Sequence, residues 1–457
     1  MKMSEPAIAA ISTPSAPGGI GIIRISGENA LGIAAKVFTP ISGEDLTASK
    51  GYRAYYGSAF AEGKKADEAV CLVYRAPHSY TGEDVAEINC HGGLFITNLI
   101  LRAVIEAGAR PAQPGEFTKR AFLNGKMDLA ESESVMALIG ASGRQAANAA
   151  LNTLDGRLSG KIDECAKAVA GVCASLSAWV DYPDEDIEEI TAGEMEKVFS
   201  DTKTALEEIL GRYDSGRAMT EGIETVIVGR PNVGKSTVMN LLTGYERSIV
   251  TDVAGTTRDA VEEKVLVGDI VLRIADTAGI RQTDDKVENI GVEIAKKRLE
   301  RAELVIAVFD SAEKLTDEDR EIIALCKGKK SIALLNKSDL APEVTAQETE
   351  QYFDRTVTIS AKTGEGRDEF EKALTSLLLS SGFDSEAANL TGERQRDCCQ
   401  RAVKHLEEAL EALHSGVTLD AVNVCADCAV DALLELTGKR ASAAVVDEVF
   451  SRFCVGK

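Results

Sequence analysis

The segment Gly229-Arg-Pro-Asn-Val-Gly-Lys-Ser236 restricts what this chain can fold into more than any other part of the sequence. It matches the pattern G-x-x-x-x-G-K-[ST], follows a strand-like apolar run at Thr225–Val228, and precedes a helical pattern that starts at Ser236. Glycines let backbone N–H groups converge on phosphate oxygens, and the helix N-terminus adds a favourable dipole. We expect Lys235 to reach the β- and γ-phosphates and Ser236 to bind Mg²⁺. The predicted contacts in this loop are Asn232, Val233, Gly234, Lys235, Ser236 and Thr237.

Further motifs follow in the order expected of a guanine-nucleotide site. Asp276-Thr-Ala-Gly279 supplies a carboxylate near Mg²⁺ and a glycine N–H near the γ-phosphate. In Asn336-Lys-Ser-Asp339, the last carboxylate can accept two N–H bonds from guanine, a pairing that adenine does not offer. Ser360-Ala-Lys362 has the pattern of the loop behind the base, and Gly255-Thr-Thr-Arg-Asp259 lies where a switch segment should supply a Mg²⁺-binding threonine. The predicted contacts are Asp276, Thr277, Ala278, Gly279, Asn336, Lys337, Asp339, Ser360, Ala361 and Lys362. Together these motifs predict a GTPase.

One position departs from the Ras-like pattern. Ras-like GTPases place a Gln after the Asp-x-x-Gly motif to orient the attacking water, and this chain has Ile280 there. An aliphatic side chain cannot hold a water molecule, and the sequence shows no arginine finger either. Another group must therefore orient the water, and another cation must stabilise the transition state.

The rest of the 457-residue chain separates into regions that differ in composition and in the spacing of apolar residues. Strand patterns at Thr225–Val228, Val271–Ala275, Leu304–Phe309, Ser331–Leu335 and Val357–Ile359 alternate with helical sequence. This alternation predicts a parallel sheet with helices on both faces. The predicted domains are an α+β domain (1–125), a first helical part (126–218), a Ras-like G domain (219–381) and a second helical part (382–457). One helical domain with the G domain inserted is favoured, and two separate helical domains are the alternative.

Charge and composition limit the classes of function. The 51 basic and 73 acidic residues give a net charge of −22, so the chain does not resemble a bulk polyanion binder and would meet nucleic acid through a local patch or a partner. Because there is no run of about 18 uncharged apolar residues, we expect no membrane span. With no secretory signal and ten scattered cysteines, we expect a cytoplasmic protein with reduced thiols.

These motifs and several others resemble those of the MnmE (TrmE) family of tRNA modification GTPases over essentially the whole chain. The resemblance includes the phosphate loop, the segment Gly255–Asp259, the N-terminal segment Tyr80-Thr-Gly-Glu-Asp-Val-Ala-Glu87, the segment Pro114–Leu129 and the terminal Cys454-Val-Gly-Lys457. The terminal motif is the most discriminating of them.

The resemblance implies how the nucleotide site is completed. The family's G domains dimerise in the presence of K⁺, which takes the place of an arginine finger. Asn232 matches the side chain that binds K⁺, and Thr251, Val253 and Thr256 match the loop positions that complete its shell. Ser236 and Thr257 match the Mg²⁺ ligands, and Glu288 matches the acidic residue that orients the water. The matching loop also places Asp252, Ala254 and Gly255 among the nucleotide contacts.

The resemblance further implies an N-terminal domain that dimerises and binds 5-formyl-tetrahydrofolate. Arg24, Glu87, Lys126 and Lys457 match the folate-contacting positions, and cations paired with glutamyl carboxylates make chemical sense. With the FAD-containing flavoprotein MnmG (GidA), in a heterotetramer, the family adds an aminomethyl or carboxymethylaminomethyl group at C5 of the wobble uridine of certain tRNAs. Cys454 is a candidate nucleophile towards C6 of the uridine, and a purely structural thiol is the alternative.

Two other classes of GTPase are alternatives. A ribosome-assembly GTPase would carry an RNA-binding module, such as a KH-like segment, after the G domain. A membrane-remodelling GTPase would carry a basic amphipathic face or a lipid anchor. The helical sequence after residue 380 counts against the first, and the sequence shows neither feature of the second.

Overall fold

The computed structural model divides the chain into two compact units, which are described separately. The first comprises residues 1–136 and 431–457, and the second comprises residues 137–430. The structure describes residues 6–141, 143–181, 190–220, 222–244, 262–275, 299, 302–378 and 386–457.

A seven-stranded sheet forms the centre of the first unit. Its strands are β1 (Ile8–Ile11), β2 (Gly21–Ser26), β3 (Phe38–Pro40), β4 (Arg53–Ala61), β5 (Lys64–Tyr74), β6 (Val85–Cys90) and β7 (Arg110–Pro111). They lie in the order β3-β4-β5-β6-β2-β1-β7, and every pair is antiparallel except β1 with β7. The helices are Ala30–Val37, Leu94–Glu106, Glu116–Leu123 and Ala443–Ser451, together with the start of Leu129–Gly140 and the end of Leu419–Leu436.

Alternation along β2 decides which side chains face the core of this unit. Ile23 and Ile25 are fully buried and pack with the helices Ala30–Val37 and Leu94–Glu106. Because successive side chains in a strand point to opposite faces, Arg24 projects from the other face. The antiparallel register pairs Arg24 with Glu87 of β6, so the fold itself places a cation opposite a carboxylate.

The C-terminal residues of the chain pack onto this same unit. Phe450, Phe453 and Val446 form a buried cluster with Leu129, and Val449 packs against it, as the amphipathic pattern of the last helix predicts. Val455 then makes an antiparallel bridge to Pro114. Gly456 has φ +97°, and a Cβ there would lie 2.4 Å from the Ile11 carbonyl oxygen, so only glycine lets the tail approach β1 this closely.

The second unit contains a six-stranded sheet. Its strands are β8 (Ile223–Val228), β9 (Glu262–Val267), β10 (Ile270–Ala275), β11 (Leu304–Asp310), β12 (Lys330–Asn336) and β13 (Arg355–Thr358). The order is β13-β12-β11-β8-β10-β9, parallel except for β9 with β10. Helices described in this module are Lys235–Thr243, Asp317–Cys326, Ala346–Glu350 and Arg367–Leu378.

The core of this sheet shows why its strands read as continuous apolar runs. In β11, Leu304, Ile306 and Val308 join one buried cluster, and Val305, Ala307 and Phe309 join another on the opposite face. Both faces are therefore covered, as expected for a parallel sheet. The five predicted strands are present, but β9 was not predicted, because its charged sequence Glu-Glu-Lys-Val-Leu-Val lacks a continuous apolar run.

Helices from both helical stretches pack together within the second unit. They are Arg144–Leu154, Arg157–Asp181, Ala192–Gly211, Tyr213–Thr220, Glu393–His414 and most of Leu419–Leu436. Across the two stretches, the Cys399 thiol lies 3.8 Å from the Leu206 carbonyl oxygen and Lys203 pairs with Glu407 at 2.8 Å. The two helical stretches therefore pack as one helical domain, and the G domain lies between them in the sequence. Among the described helices, none combines the length and apolarity needed to span a membrane.

Candidate functional site

The phosphate loop connects β8 to the helix Lys235–Thr243. Gly234 caps the helix with φ +98°, and a Cβ there would lie 2.3 Å from the Asn336 amide nitrogen. Glycine is therefore required both for the left-handed backbone and for the close approach of the loop Asn336–Asp339, here called the guanine-reading loop. Ser236 and Thr237 are exposed on the first helical turn, where the dipole of the helix N-terminus favours an anion.

Lys235 lies folded over its own loop. Its Nζ donates to the carbonyl oxygens of Gly229 at 2.8 Å and Arg230 at 2.7 Å. Burial lowers the pKa of this amine. A phosphate oxygen offers a fully charged acceptor in place of two carbonyl groups, so the arrangement favours exchange of these bonds for a nucleotide.

Asn336, at the end of β12, joins three of the predicted motifs. Its side chain is buried, the amide nitrogen donates to the Val233 carbonyl oxygen at 2.9 Å, and the amide oxygen accepts from Ala361 N at 2.9 Å. The phosphate loop, the guanine-reading loop and the Ser360–Lys362 loop are thus held together through one side chain. Which of these residues bind the nucleotide stays a prediction from the motifs.

Asp339 is exposed at the position expected for a guanine reader. Ser360 Oγ donates to its carboxylate at 2.8 Å, and this hydrogen bond, with the nearby charges of Lys362 and Lys337, lowers the pKa of Asp339. The carboxylate therefore stays ionised as an acceptor at neutral pH. Lys337 itself has a left-handed backbone and pairs with the buried Asp310.

The remaining predicted nucleotide residues fall outside the part of the chain that the structure describes. They are Thr251, Asp252, Val253, Ala254, Gly255, Thr256, Thr257, Asp276, Thr277, Ala278, Gly279 and Glu288. Their roles stay predictions.

A second site lies in the first unit, around Arg24. Arg24 Nε donates to Glu87 Oε1 at 2.7 Å, and Nη1 donates to the Gly456 carbonyl oxygen at 3.3 Å. The guanidinium lies over the rings of Tyr80 and Phe117, 5.5 and 5.6 Å from their centroids. Two hydrogen bonds and two cation–π contacts hold this cation in one orientation.

The C-terminal tail brings Lys457 to the same place. Its carbonyl oxygen accepts from Phe117 N at 3.1 Å. Burial, followed by the charge of Arg24, lowers the pKa of the Lys457 amine, and the charge of Glu87 opposes this. The structure therefore brings Arg24, Glu87 and Lys457 together within electrostatic reach.

Lys126 and Cys454 lie in the same unit in different settings. Lys126 Nζ donates to the Pro77 carbonyl oxygen at 3.1 Å, in the loop that leads to Tyr80. Cys454 is exposed, and its carbonyl oxygen accepts from Gly115 N at 3.3 Å.

Tyr80 and Phe117 had no role assigned from the sequence. The Tyr80 hydroxyl shares a hydrogen bond of 2.8 Å with Thr118 Oγ1, which fixes the ring under Arg24. Nothing in the local sequence marks these rings as partners of Arg24, because the three residues belong to separate elements. The only signal was their presence in the segments that carry the family resemblance.

The fold and the nucleotide site define a P-loop GTPase, an enzyme that hydrolyses GTP. The helical-domain model of the MnmE family matches residues 129–454, and the model described as "GTP-binding protein TrmE N-terminus" matches residues 7–126. The chain is 40% identical over 454 residues to the tRNA modification GTPase MnmE of Lactobacillus acidophilus, covering 98% of each chain. It is also 40% identical over 458 residues to the MnmE of Acetivibrio thermocellus, covering 99% of each. This chain belongs to the MnmE family of tRNA modification GTPases.

Among solved structures, Era from Aquifex aeolicus is similar to part of the chain. It is 30% identical, and the match covers 40% of this chain and 66% of Era, with a TM-score of 0.27. A TM-score this low assigns neither fold nor function.

Proposed function

We propose that this chain is a potassium-stimulated GTPase that acts with the flavoprotein MnmG (GidA), which carries FAD. Together they would add an aminomethyl or carboxymethylaminomethyl group at C5 of the wobble uridine of certain tRNAs. One observation supports the proposal above all. In this member of the family, which has a guanine-nucleotide site, the C-terminal tail completes a second, cationic site: the Gly456 carbonyl oxygen accepts a hydrogen bond from Arg24.

In the nucleotide site, the described residues fit GTP and its cations. Ser236, with Thr257, would bind Mg²⁺, and Lys235 would bind the β- and γ-phosphates. Asn232 is exposed with φ +66°, which suits an amide oxygen that reaches a K⁺ ion from the loop. Thr251, Val253 and Thr256 would complete the K⁺ shell, and Glu288 would orient the water.

In the Arg24 site, the donor set fits 5-formyl-tetrahydrofolate. Arg24 and Lys457 supply positive charge for glutamyl carboxylates, Glu87 can accept N–H groups of the pterin, and the rings of Tyr80 and Phe117 line the site. Lys126 would add a further cation. In turnover, the methylene form of the folate would supply the one-carbon unit, and Cys454, which is exposed, is the candidate nucleophile.

Membership of the family supports a proposal for assembly and location. We propose a homodimer that forms a heterotetramer with the flavoprotein and acts in the cytoplasm. Because this chain has a net charge of −22, the flavoprotein partner would supply much of the basic surface that binds tRNA. Residues 386–457 are largely helical, which favours this function over an RNA-chaperoning GTPase with a KH-like module.

Mass analysis of wobble uridines tests the proposal. In cells that lack this chain, we expect the C5 group to be absent from the affected tRNAs and to return when a wild-type copy is supplied. Fully modified uridine in the deleted cells would contradict the proposal.

Cation dependence tests the catalytic part separately. We expect GTP turnover by the purified chain to be at least about tenfold faster in KCl than in NaCl at equal ionic strength, because K⁺ would supply the charge that an arginine finger supplies elsewhere. Equal rates in the two salts would remove K⁺ from the account.

A further inference from the structure

The segment Asp310–Glu313 joins the guanine-reading loop to the phosphate loop, although it matches none of the nucleotide motifs. Its first residue, Asp310, is buried and accepts a hydrogen bond from Lys337 Nζ at 2.5 Å. Ser311 N donates to the Asn336 carbonyl oxygen at 2.8 Å. A charged pair and a backbone hydrogen bond therefore fix this end of the segment to the guanine-reading loop.

The phosphate-loop side of this connection is Arg230. Its Nη2 donates to Glu313 Oε2 at 2.5 Å, and its Nε lies 3.3 Å from Asp319 Oδ2, in the first turn of the helix Asp317–Cys326. The side chain of Asp319 is 3% exposed and that of Arg230 is 16% exposed, whereas that of Glu313 is 57% exposed. The buried Asp319 is therefore the stronger anchor, since solvent screens the contact with Glu313.

Arg230 and Asp319 also compensate each other's charge in a buried setting. Arg230 Nε and Asp319 Oδ1 are both buried, and neither has a hydrogen-bond partner among the described residues. The other oxygen, Oδ2, accepts from the backbone N and the hydroxyl of Thr316, at 2.9 Å each, which fixes the carboxylate to the helix start. Removing the guanidinium would leave a buried carboxylate without its counter-charge, which is costly.

The backbone of Arg230 belongs to the phosphate-binding surface. Its carbonyl oxygen, like that of Gly229, accepts from Lys235 Nζ. A displacement of Arg230 would therefore displace the groups that now hold Lys235.

We propose that Arg230 is a positioning residue whose pairs with Glu313 and Asp319 set the phosphate loop relative to the guanine-reading loop. It would act on the affinity for the β- and γ-phosphates without touching the guanine base. This inference rests on the GTPase assignment and adds to it a residue that the phosphate-loop pattern leaves unspecified.

The test compares GDP with GMP in the full-length chain, by competition against a fluorescent GDP analogue. GMP lacks the β-phosphate that Lys235 would bind. We expect Arg230→Ala to weaken GDP binding about tenfold and GMP binding less than about twofold. Arg230→Lys should weaken GDP about threefold, because lysine keeps the charge but lacks the planar fork. Glu313→Gln should weaken it about twofold, because that pair is exposed.

Arg320→Ala is the matched control. Arg320 pairs with Asp317 at 3.4 Å, is 72% exposed, and lies in the same helix as Asp319. We expect it to leave both affinities unchanged.

An equal loss of GDP and GMP affinity in Arg230→Lys, or unchanged GDP affinity in Arg230→Ala and Glu313→Gln, would overturn the proposal. The conservative variants keep the test decisive if Arg230→Ala folds poorly. A wild-type chain that bound no GDP would instead overturn the GTPase assignment, and the proposal with it.

Discussion

The nucleotide site and the Arg24 site differ in how their residues are brought together. In the nucleotide site, the phosphate loop and the guanine-reading loop follow directly after the parallel strands β8 and β12, so their positions follow from the sheet itself. In the Arg24 site, the hydrogen bond from Arg24 to Gly456 spans 432 positions of the chain. Local motifs therefore predict the first site, whereas the residues of the second were predicted from the family resemblance and meet through the packing of the C-terminal tail.

The two sites also hold their principal cations differently. Lys235 is bonded to two carbonyl oxygens of its own loop, which a phosphate can replace. Arg24 is bonded to a carboxylate and flanked by two rings, so its orientation is set before any ligand arrives. We therefore expect variants of the first site to change nucleotide chemistry, and variants of the second to change folate affinity.

The largest expected effect is a change of base preference at the nucleotide site. Asp339→Asn should weaken GTP binding about 100-fold and shift preference towards xanthosine triphosphate, because the amide can no longer accept both guanine N–H groups. Competition binding with both nucleotides measures this. Asp317→Asn, an exposed carboxylate outside the site, is the control. Unchanged GTP selectivity in Asp339→Asn would refute the base-reading assignment.

An effect of similar size separates hydrolysis from binding in the same site. Glu288→Ala should slow GTP turnover roughly 100-fold while nucleotide affinity stays nearly intact, because the carboxylate is expected to orient water and not to bind the nucleotide. Single-turnover hydrolysis and equilibrium binding measure the two quantities. Glu318→Ala, which removes an exposed carboxylate from the helix Asp317–Cys326, is the control. Turnover at the wild-type rate in Glu288→Ala would exclude this role.

At the Arg24 site, we expect a smaller loss of affinity, and for a different ligand. Arg24→Ala should weaken 5-formyl-tetrahydrofolate binding about 30-fold, the value of one or two charge-assisted hydrogen bonds. Calorimetry measures the affinity. Arg53→Ala is the control, because Arg53 lies in the same sheet but is 59% exposed and pairs with Glu44. Folate affinity that survives in Arg24→Ala would show that the ligand binds elsewhere.

The Lys457 amine should make folate binding depend on pH. Its pKa is lowered, so the amine loses its charge at a lower pH than an ordinary lysine, and folate affinity should fall as the pH rises through that lowered pKa. Lys457→Arg should remove this dependence, because the guanidinium stays charged throughout. Affinities measured across the alkaline range give the profile. Identical pH profiles for the two chains would exclude Lys457 as the titrating group.

The smallest expected effect concerns the ring beneath Arg24. Tyr80→Phe removes the hydrogen bond to Thr118 but keeps the ring, so folate affinity should fall about twofold. Tyr80→Leu, which also removes the cation–π contact, should cost more. Calorimetric titrations measure the difference in folate affinity between the two variants. Equal affinities would show that the ring does not hold Arg24.

Much of the fold could be predicted from the sequence where the physical signal is local. Continuous apolar runs indicated the buried strands of the second unit. The antiparallel strand β9 could not be predicted, because its charged start resembles a loop. The contact of Arg24 with Tyr80 and Phe117 depends on tertiary packing that no short-range pattern encodes.

If the nucleotide site and the Arg24 site serve one reaction, loss of the second should abolish tRNA modification while the first stays intact. In cells that carry only the Arg24→Ala chain, we expect wobble uridines that lack the C5 group, although the variant chain still binds GTP with wild-type affinity. Fully modified uridine in those cells would contradict it.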